Sequence, residues 1–451
     1  MSVNFEEKRL TGWGRVHPER CHVRKPETGA VLRQASSVGE SRRRIARGCG
    51  RSYGDAAQNG AGDVIVMTAL NRILSFDEVG GRLTCEAGTT LAEIVDIFAP
   101  RGWFPSVVPG TKFVTVGGAI ASDIHGKNHH RDGSFSKFVD EVVLILGTGE
   151  RVTASRVERK DLFWATVGGM GLTGVIESAS IRLRRIGSDR IRTELARATT
   201  LEETIDRLRL IDSRMPYTVA WIDTLGFGSR RGRSVIISGD HESVDEVRAE
   251  GKSVGGVRRR RIRMDAPGWL LNRFSIRIFN DLYWLKNRPS SGELWSIDQF
   301  FFPLDSVDGW NRLYGPRGFI QFQCVIPDPE AVKGLCRILD TMNRADQASF
   351  LAVLKRFGPS GAGLLSFPRE GWTLAVDLPM SRALASLARS LERIVLEHGG
   401  RTYFAKDALG SPEAVGEMYP RLSEFREVQA RFDPFQRMES SLSRRLRLLE
   451  R

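Results

Sequence analysis

Two glycine-dense segments constrain this 451-residue chain more than any other feature. Residues 47–55 read RGCGRSYGD, and residues 115–130 read TVGGAIASDIHGKNHH. Glycine carries no Cβ and accepts positive φ, so chain of this kind brings backbone N–H groups close to a ligand. Successive N–H groups in such turns form concavities for anions. Two of these loops in one chain point to a large anionic cofactor gripped by main chain, and therefore to an enzyme.

The length allows two or three domains with a substantial core. No run of eighteen apolar residues occurs, so no transmembrane helix is predicted, and MSVNFEEKRLTGWGR at the N-terminus has no apolar core of a secretory signal. Cys21, Cys49, Cys85, Cys324 and Cys336 lie singly, without CxxC spacing. That pattern argues against structural zinc and for a reducing, cytoplasmic location.

The net charge of +13 is unevenly spread. Residues 252–288 hold ten Lys/Arg against two Asp, interleaved with Trp269, Phe274, Ile278, Phe279, Leu282, Tyr283 and Trp284. Basic and aromatic residues mixed in this way suit an anionic membrane surface. A solvated arginine run beside an ordinary buried helix is the competing reading. Nucleic acid is not expected, because no recognition motif accompanies the charge.

The order of elements indicates an α+β fold. Up to about Ile186, short strands such as DVIVMT and RLTCEAG alternate with helices and tight turns, without a regular βαβ repeat. Thr90 is placed to cap a helix carrying Leu91, Ile94, Val95 and Phe98. Beyond about Arg190, Thr200 and Glu203 predict a capping box. The strands YTVAWID, RSVIIS, GFIQFQCVIP, SFLAVLKRF and WTLAVDL follow, broken by two amphipathic helices. This pattern predicts a sheet covered on one face by helices.

Several motifs invite specific chemistry. Gly169 to Gly174 spell GxGxxG, but the motif runs into the strand-like VIESASIRLRR, whereas a dinucleotide site needs a helix there. His125, His129 and His130 lie near Asp123, yet Lys127 and Arg131 would oppose a cation, so hydrogen bonding is the better reading than metal binding. Lys355 sits within an apolar strand, where a lysine either snorkels or meets an anion. Gln321 and Gln323 share one face of their strand. Together with the strand of Thr373, these positions predict a polar pocket over the sheet. Lys406 in YFAKD reads on its own as a solvated lysine at a strand end.

The two glycine loops resemble the flavin-binding loops of the vanillyl-alcohol oxidase/PCMH superfamily of FAD enzymes. Within it, the chain is most similar to the branch that oxidises polyprenylphosphoryl ribose. The likeness runs nearly end to end, through LTGWGR, IARGCGRSYGDAAQNG, VPGTKFVTVGGAIASDIHGKNHH, LFWATVGGMGLTGVI, GELWSIDQFFFPLD, GWNRLYGPRGFIQFQCVIP and YFAKD.

The resemblance implies a two-part PCMH-type FAD-binding domain, residues 1–188 completed by 401–451, around a substrate domain of residues 189–400. It implies that Ala46, Arg47, Gly48, Cys49, Gly50, Arg51, Ser52, Tyr53, Gly54, Asp55 and Ala56 contact FAD. Gly110, Thr115, Val116, Gly117, Gly118, Ser122, Asp123, Ile124, His125, Ile176 and Tyr403 are implied with them. Arg51 stands where covalent relatives carry the flavin-linked histidine, so non-covalent FAD is expected.

The implied reaction oxidises the C2 hydroxyl of a polyprenylphosphoryl-β-D-ribose. A short-chain reductase would complete epimerisation to the arabinose donor of cell-wall arabinan. Lys406 matches the family's essential lysine, which overturns its reading as a solvated residue. His125 and Tyr53 are the further catalytic candidates. Trp221, Gln321, Gln323, Lys355, Thr373 and Ala375 match positions around the substrate. A polyprenyl substrate also makes peripheral membrane contact by residues 252–288 the favoured reading of that segment.

Three positions depart from the family pattern. Ala375 replaces the cysteine attacked by nitroaromatic inhibitors, Thr373 replaces an asparagine, and Phe301 replaces a tyrosine. Covalent trapping is therefore not expected. The alternative implied by the wider superfamily is a sugar-alcohol or aldonolactone oxidase that uses oxygen.

Overall fold

A computed structural model describes residues 5–37, 42–226, 228–250 and 259–449. Residues 252–258, the start of the basic segment, lie outside these. Two small sheets come from the first part of the chain. One has four strands, in which Asp63–Val66 runs parallel to both Glu19–Arg24 and Arg44–Arg47. The other has six strands around the long strand Val175–Arg185. That strand begins directly after the GxGxxG turn, so the motif opens a strand and not a helix.

The third sheet has eight strands, all antiparallel, with Tyr217–Ile222, Ala352–Phe357, Gly371–Pro379 and Phe319–Ile326 adjacent in that order at its centre. Period-two alternation gives its two faces different tasks. Ala220, Ile222, Ile320, Phe322, Leu354, Leu374 and Val376 join one core with Leu201, Ile205 and Leu208, with Leu335 and Leu339, and with Leu391. Those partners belong to the helices Leu201–Asp212, Ala331–Arg344 and Leu384–Glu397. Residues between them in the strands, including Trp221, Gln321, Gln323, Val353, Lys355 and Ala375, line a cavity on the opposite face.

Local signals fix several helix ends. Thr90 and Glu93 form a reciprocal capping box. At the helix Leu201–Asp212 the arrangement differs from the predicted box: Thr200 accepts from the Glu203 N–H, but Glu203 reaches back to the N–H and hydroxyl of Thr199. The extended backbone of the N-cap residue Thr200 sets Thr199 within reach of the carboxylate.

The last fifty residues return to the first glycine loop. The N–H of Tyr53 donates to Ala405 O, and those of Ser441 and Leu442 donate to Gln58 O and Asp55 O. Arg445 grips both carboxylate oxygens of Asp55, at 2.7 and 2.9 Å, and reaches Asp407 at 2.9 Å. A two-pronged, partly buried pair of this kind exceeds the roughly 0–1 kcal/mol of an exposed ion pair.

Candidate active site

A cavity of about 810 Å³ lies between the two glycine loops and the free face of the eight-stranded sheet. The loops meet closely. A Cβ on Gly48 would stand 2.2 Å from Thr115 Oγ1, so only glycine fits there. The N–H groups of Cys49, Gly50, Arg51 and Ser52 have no acceptor among the described residues, and neither do those of His125, Gly126 and Lys127. All seven residues line the cavity. Two rows of free backbone donors in a glycine cradle fit the pyrophosphate of a dinucleotide.

Most residues that the resemblance assigns to FAD do face this space: Ala46, Gly48 to Tyr53, Ala56, Gly110, Thr115, Gly117, Gly118, Ser122, Ile124, His125, Ile176 and Tyr403. Five do not line it, and each serves the wall from behind. Arg47 donates to Thr11 O and Ala57 O, tying down the first loop. Gly54 packs against the backbone of Asp407. Asp55 is held by Arg445. Val116 is fully buried in the core. Asp123 adopts φ 39, and its carboxylate accepts from the Ser134 hydroxyl and the Ser136 N–H. Asp tolerates this left-handed geometry better than most residues.

On the sheet side, Trp221, Gln321, Gln323, Lys355, Ala375 and Lys406 reach the cavity. Thr373 does not line it; its hydroxyl accepts from Gln323 Nε2 at 3.1 Å. The Lys406 ammonium lies 3.9 Å from the centre of the Tyr53 ring, a cation–π contact. Burial pulls Lys406 down to about 7, with the Asp377 carboxylate opposing and the Lys355 ammonium reinforcing that shift. Burial lowers Lys355 to about 8, and burial together with Lys355 lowers Lys127 to about 7. Three cations whose charged forms are strained by confinement make this a place for anions.

Burial, and then Lys355, His129 and Lys406, hold His125 well below the usual histidine range, so its ring is neutral. Its Nε2 lies 2.9 Å from the Gln323 amide nitrogen, which donates to it. The ring proton is thereby assigned to Nδ1, a buried atom with no partner among the described residues. The other two histidines are engaged elsewhere. His129 Nδ1 accepts from Gly358 N, and His130 lies against Asp212 and Met215 O.

Lys127, Trp295, Phe300 and Phe350 also line the cavity, although sequence reasoning does not single them out for binding. Lys127 lies within the second loop, so its place in the sequence is the available signal. The aromatic residues carry none, because a cavity-lining aromatic reads as core. The helix Arg273–Lys286 closes one end with Phe279, Tyr283 and Lys286. Its outer side leaves Phe274, Ile278, Leu282 and Leu285 exposed. Among the described residues, no helix is long and apolar enough to cross a membrane.

Fold and cavity together define an FAD-dependent oxidoreductase. Residues 26–155 match the FAD binding domain family, and residues 326–446 match the D-arabinono-1,4-lactone oxidase family. The chain is 38% identical to decaprenylphosphoryl-β-D-ribose oxidase of Mycolicibacterium smegmatis, over 98% of each protein. It is 34% identical to an uncharacterized Streptomyces coelicolor protein, over 80% of this chain and all of that one. Cytokinin dehydrogenase 2 of Arabidopsis thaliana is 30% identical over 36% of this chain and 32% of its own length. The chain belongs to the FAD-dependent oxidase family of decaprenylphosphoryl-β-D-ribose oxidase, and FAD is its cofactor.

Proposed function

We propose that this enzyme oxidises the C2 hydroxyl of a polyprenylphosphoryl-β-D-ribose to the 2-keto sugar, the first half of epimerisation to the arabinose donor of cell-wall arabinan. The observation that carries this reading is Lys406 stacked on Tyr53 where the glycine loops meet the sheet, beside two glutamines and within the field of Lys355. Bound FAD supplies the hydride acceptor. Free N–H groups of residues 49–52 and 125–127 hold its pyrophosphate, and Arg51 in place of a linking histidine leaves it non-covalent.

Lys406 polarises the sugar hydroxyl and stabilises negative charge that develops beside it. Tyr53 fixes the ammonium by its ring, and neutral His125 offers its Nδ1–H as a donor. Gln321 and Gln323 orient the sugar, while Lys355 meets the phosphate. In this reading residues 1–188 and 401–451 serve the cofactor, and residues 189–400 serve the substrate. A short-chain reductase then returns the ketone with inverted configuration.

A polyprenyl tail requires access from a lipid surface. Met264, Trp269, Phe274, Leu282 and Leu285 are all more than half exposed, with exposed Arg260, Arg261 and Arg277 among them. This combination supports peripheral contact with an anionic membrane beside the cavity end lined by Phe279.

A second reading, an oxygen-using aldonolactone or sugar-alcohol oxidase, is favoured by the match of residues 326–446. Turnover assays of the holoenzyme separate the two. The first reading expects the 2-keto product from polyprenylphosphoryl ribose with a dye as electron acceptor and slow reoxidation by oxygen. Rapid oxygen-coupled turnover of aldonolactones, with none of the lipid sugar, would replace it with the second.

A further inference from the structure

Asp377 is a carboxylate with no exposed surface, directly opposite Gln321 in the antiparallel register, and it does not line the cavity. It accepts from Gln321 Nε2 at 2.6 Å and from the Tyr314 hydroxyl at 3.1 Å. A buried carboxylate is costly, and stability alone is often served as well by a neutral or apolar side chain. Its chemistry here has a specific consequence. An ionised carboxylate only accepts hydrogen bonds, so the amide nitrogen of Gln321 must face it. The same nitrogen also points at the Tyr53 hydroxyl, 3.3 Å away. Both N–H bonds of Gln321 are therefore engaged, while its Oε1 takes no bond from the described residues and the side chain lines the cavity.

Gln323, two residues along on the same face, is arranged alike. Its nitrogen donates to His125 Nε2 and Thr373 Oγ1, which leaves its Oε1 without a protein donor among the described residues. We propose that Asp377 is a positioning residue that holds Gln321 with its oxygen toward the cavity, so that Gln321 and Gln323 form a pair of acceptors selective for the hydroxyl groups of a sugar. A pair of amide oxygens with no free N–H recognises donors and disfavours a carboxylate or carbonyl at that place. The phosphate is left to Lys355. This inference rests on the proposed function for the identity of the sugar, but the orientation of Gln321 does not.

Protonation gives the arrangement a signature. Burial lifts Asp377 to about 7, against the hydrogen bonds from Gln321 and Tyr314 and the charge of Lys406, and the Tyr53 hydroxyl also lies within its field. Below that pH the protonated carboxyl can donate to Gln321 Oε1, and the amide is free to turn its nitrogen into the cavity. Sugar binding in the wild type should therefore weaken as pH falls through about 7. This acid limb should be absent from Asp377→Asn, which has nothing to titrate.

The test is anaerobic flavin bleaching by the full-length holoenzyme, read as a half-saturating sugar concentration and a limiting rate. Bound-flavin absorbance reports that each variant is folded. Loss of one oriented acceptor is worth about 1.4 kcal/mol, a tenfold change in affinity. Asp377→Asn should thus raise half-saturation about tenfold with a smaller change in limiting rate. Tyr314→Phe, which removes the other donor to Asp377, should act in the same direction and less strongly, and it carries the test if Asp377→Asn loses flavin. In a Gln321→Leu background, Asp377→Asn should add less than about twofold.

An unchanged half-saturation in Asp377→Asn, or the same fold change with and without Gln321, overturns the proposal. Each protein is run with polyprenylphosphoryl ribose and with an aldonolactone. Bleaching of wild type by the lactone alone rejects the substrate proposed above, and the variant ratios on the lactone still decide the role of Asp377. Bleaching by neither overturns both.

Discussion

One wall of the cavity offers backbone and the other offers side chains. The wall proposed to hold the flavin draws on residues 48–53 and 115–127, two short stretches in which the N–H groups of residues 49–52 and 125–127 have no acceptor among the described residues and whose glycines allow the loops to touch. The wall proposed to take the sugar draws single residues from Tyr217–Ile222, Phe319–Ile326, Ala352–Phe357 and Gly371–Pro379, with Lys406 from the turn after Arg401–Thr402. A polyanionic cofactor can be held by main chain, which needs continuous small residues. A particular sugar needs particular side chains, and a sheet gathers them one or two per strand. The two walls should therefore fail differently: substitutions on the sheet side should alter reduction of a flavin that stays bound, and substitutions in the loops should release the flavin.

The sharpest break on the sheet side is Lys406→Ala. Loss of one electrostatic stabiliser costs about 10²- to 10³-fold in rate, so stopped-flow bleaching should slow by that factor while flavin absorbance is retained. Flavin loss in this variant would blur the division between the walls. Gly48→Ala addresses the other wall. Its methyl would collide with Thr115, and overpacking of about 1–3 kcal/mol predicts FAD binding weakened roughly 5- to 150-fold, measured by flavin retention on desalting. Turnover of FAD-saturated Gly48→Ala should recover.

A third region belongs to neither wall. Replacing Phe274 and Leu282 with serine removes two exposed apolar side chains, each worth up to about 1.5–3 kcal/mol when fully buried. Binding to anionic vesicles should fall at least about tenfold. Turnover of a short-chain, water-soluble substrate analogue should hold, and equal vesicle binding by both proteins would rule out the membrane contact.

The smallest effect concerns pH. Burial lowers Lys355 to about 8, and it is a cation below that value. Affinity for a phosphorylated substrate should be lost as pH rises through about 8, seen as a falling limb of kcat/KM, which reports the free enzyme. Lys355→Met should remove its own contribution to that limb, leaving the one from Lys406, and raise KM about tenfold, in keeping with the roughly 1.5–3 kcal/mol of a hydrogen bond to a charged group.

The same contrast explains what can be read from the chain before folding. The glycine loops announce a cofactor because the requirement is continuous in sequence. The sheet and its covering helices follow from period-two strands and from helices such as Ala331–Arg344, with Leu335, Ile338, Leu339 and Met342 buried on one side. Gln321, Gln323 and Lys355 stand out because a polar group inside an apolar strand must be explained.

Lys406 does not stand out, since only the fold brings it over Tyr53, which lies far earlier in the chain. Arg47, Asp55, Asp123 and Thr373 show the opposite error. They belong to motif-rich stretches but support the wall from behind, and sequence proximity to a ligand-binding residue does not distinguish facing it from bracing it. Asp377 is hidden for a related reason: its role depends on the register that sets it opposite Gln321.

Hydride removal from C2 of a polyprenylphosphoryl ribose is the central step of the proposed reaction, and deuterium placed at that carbon tests it most directly. Holoenzyme is mixed anaerobically with substrate carrying deuterium at C2 or at C3, and loss of the flavin's visible absorbance is followed with time. Complete bleaching by both is expected, slower with the C2 label and unaffected by the C3 label. Equal rates for the C2-labelled and unlabelled sugars, or a flavin that stays oxidised, would contradict it.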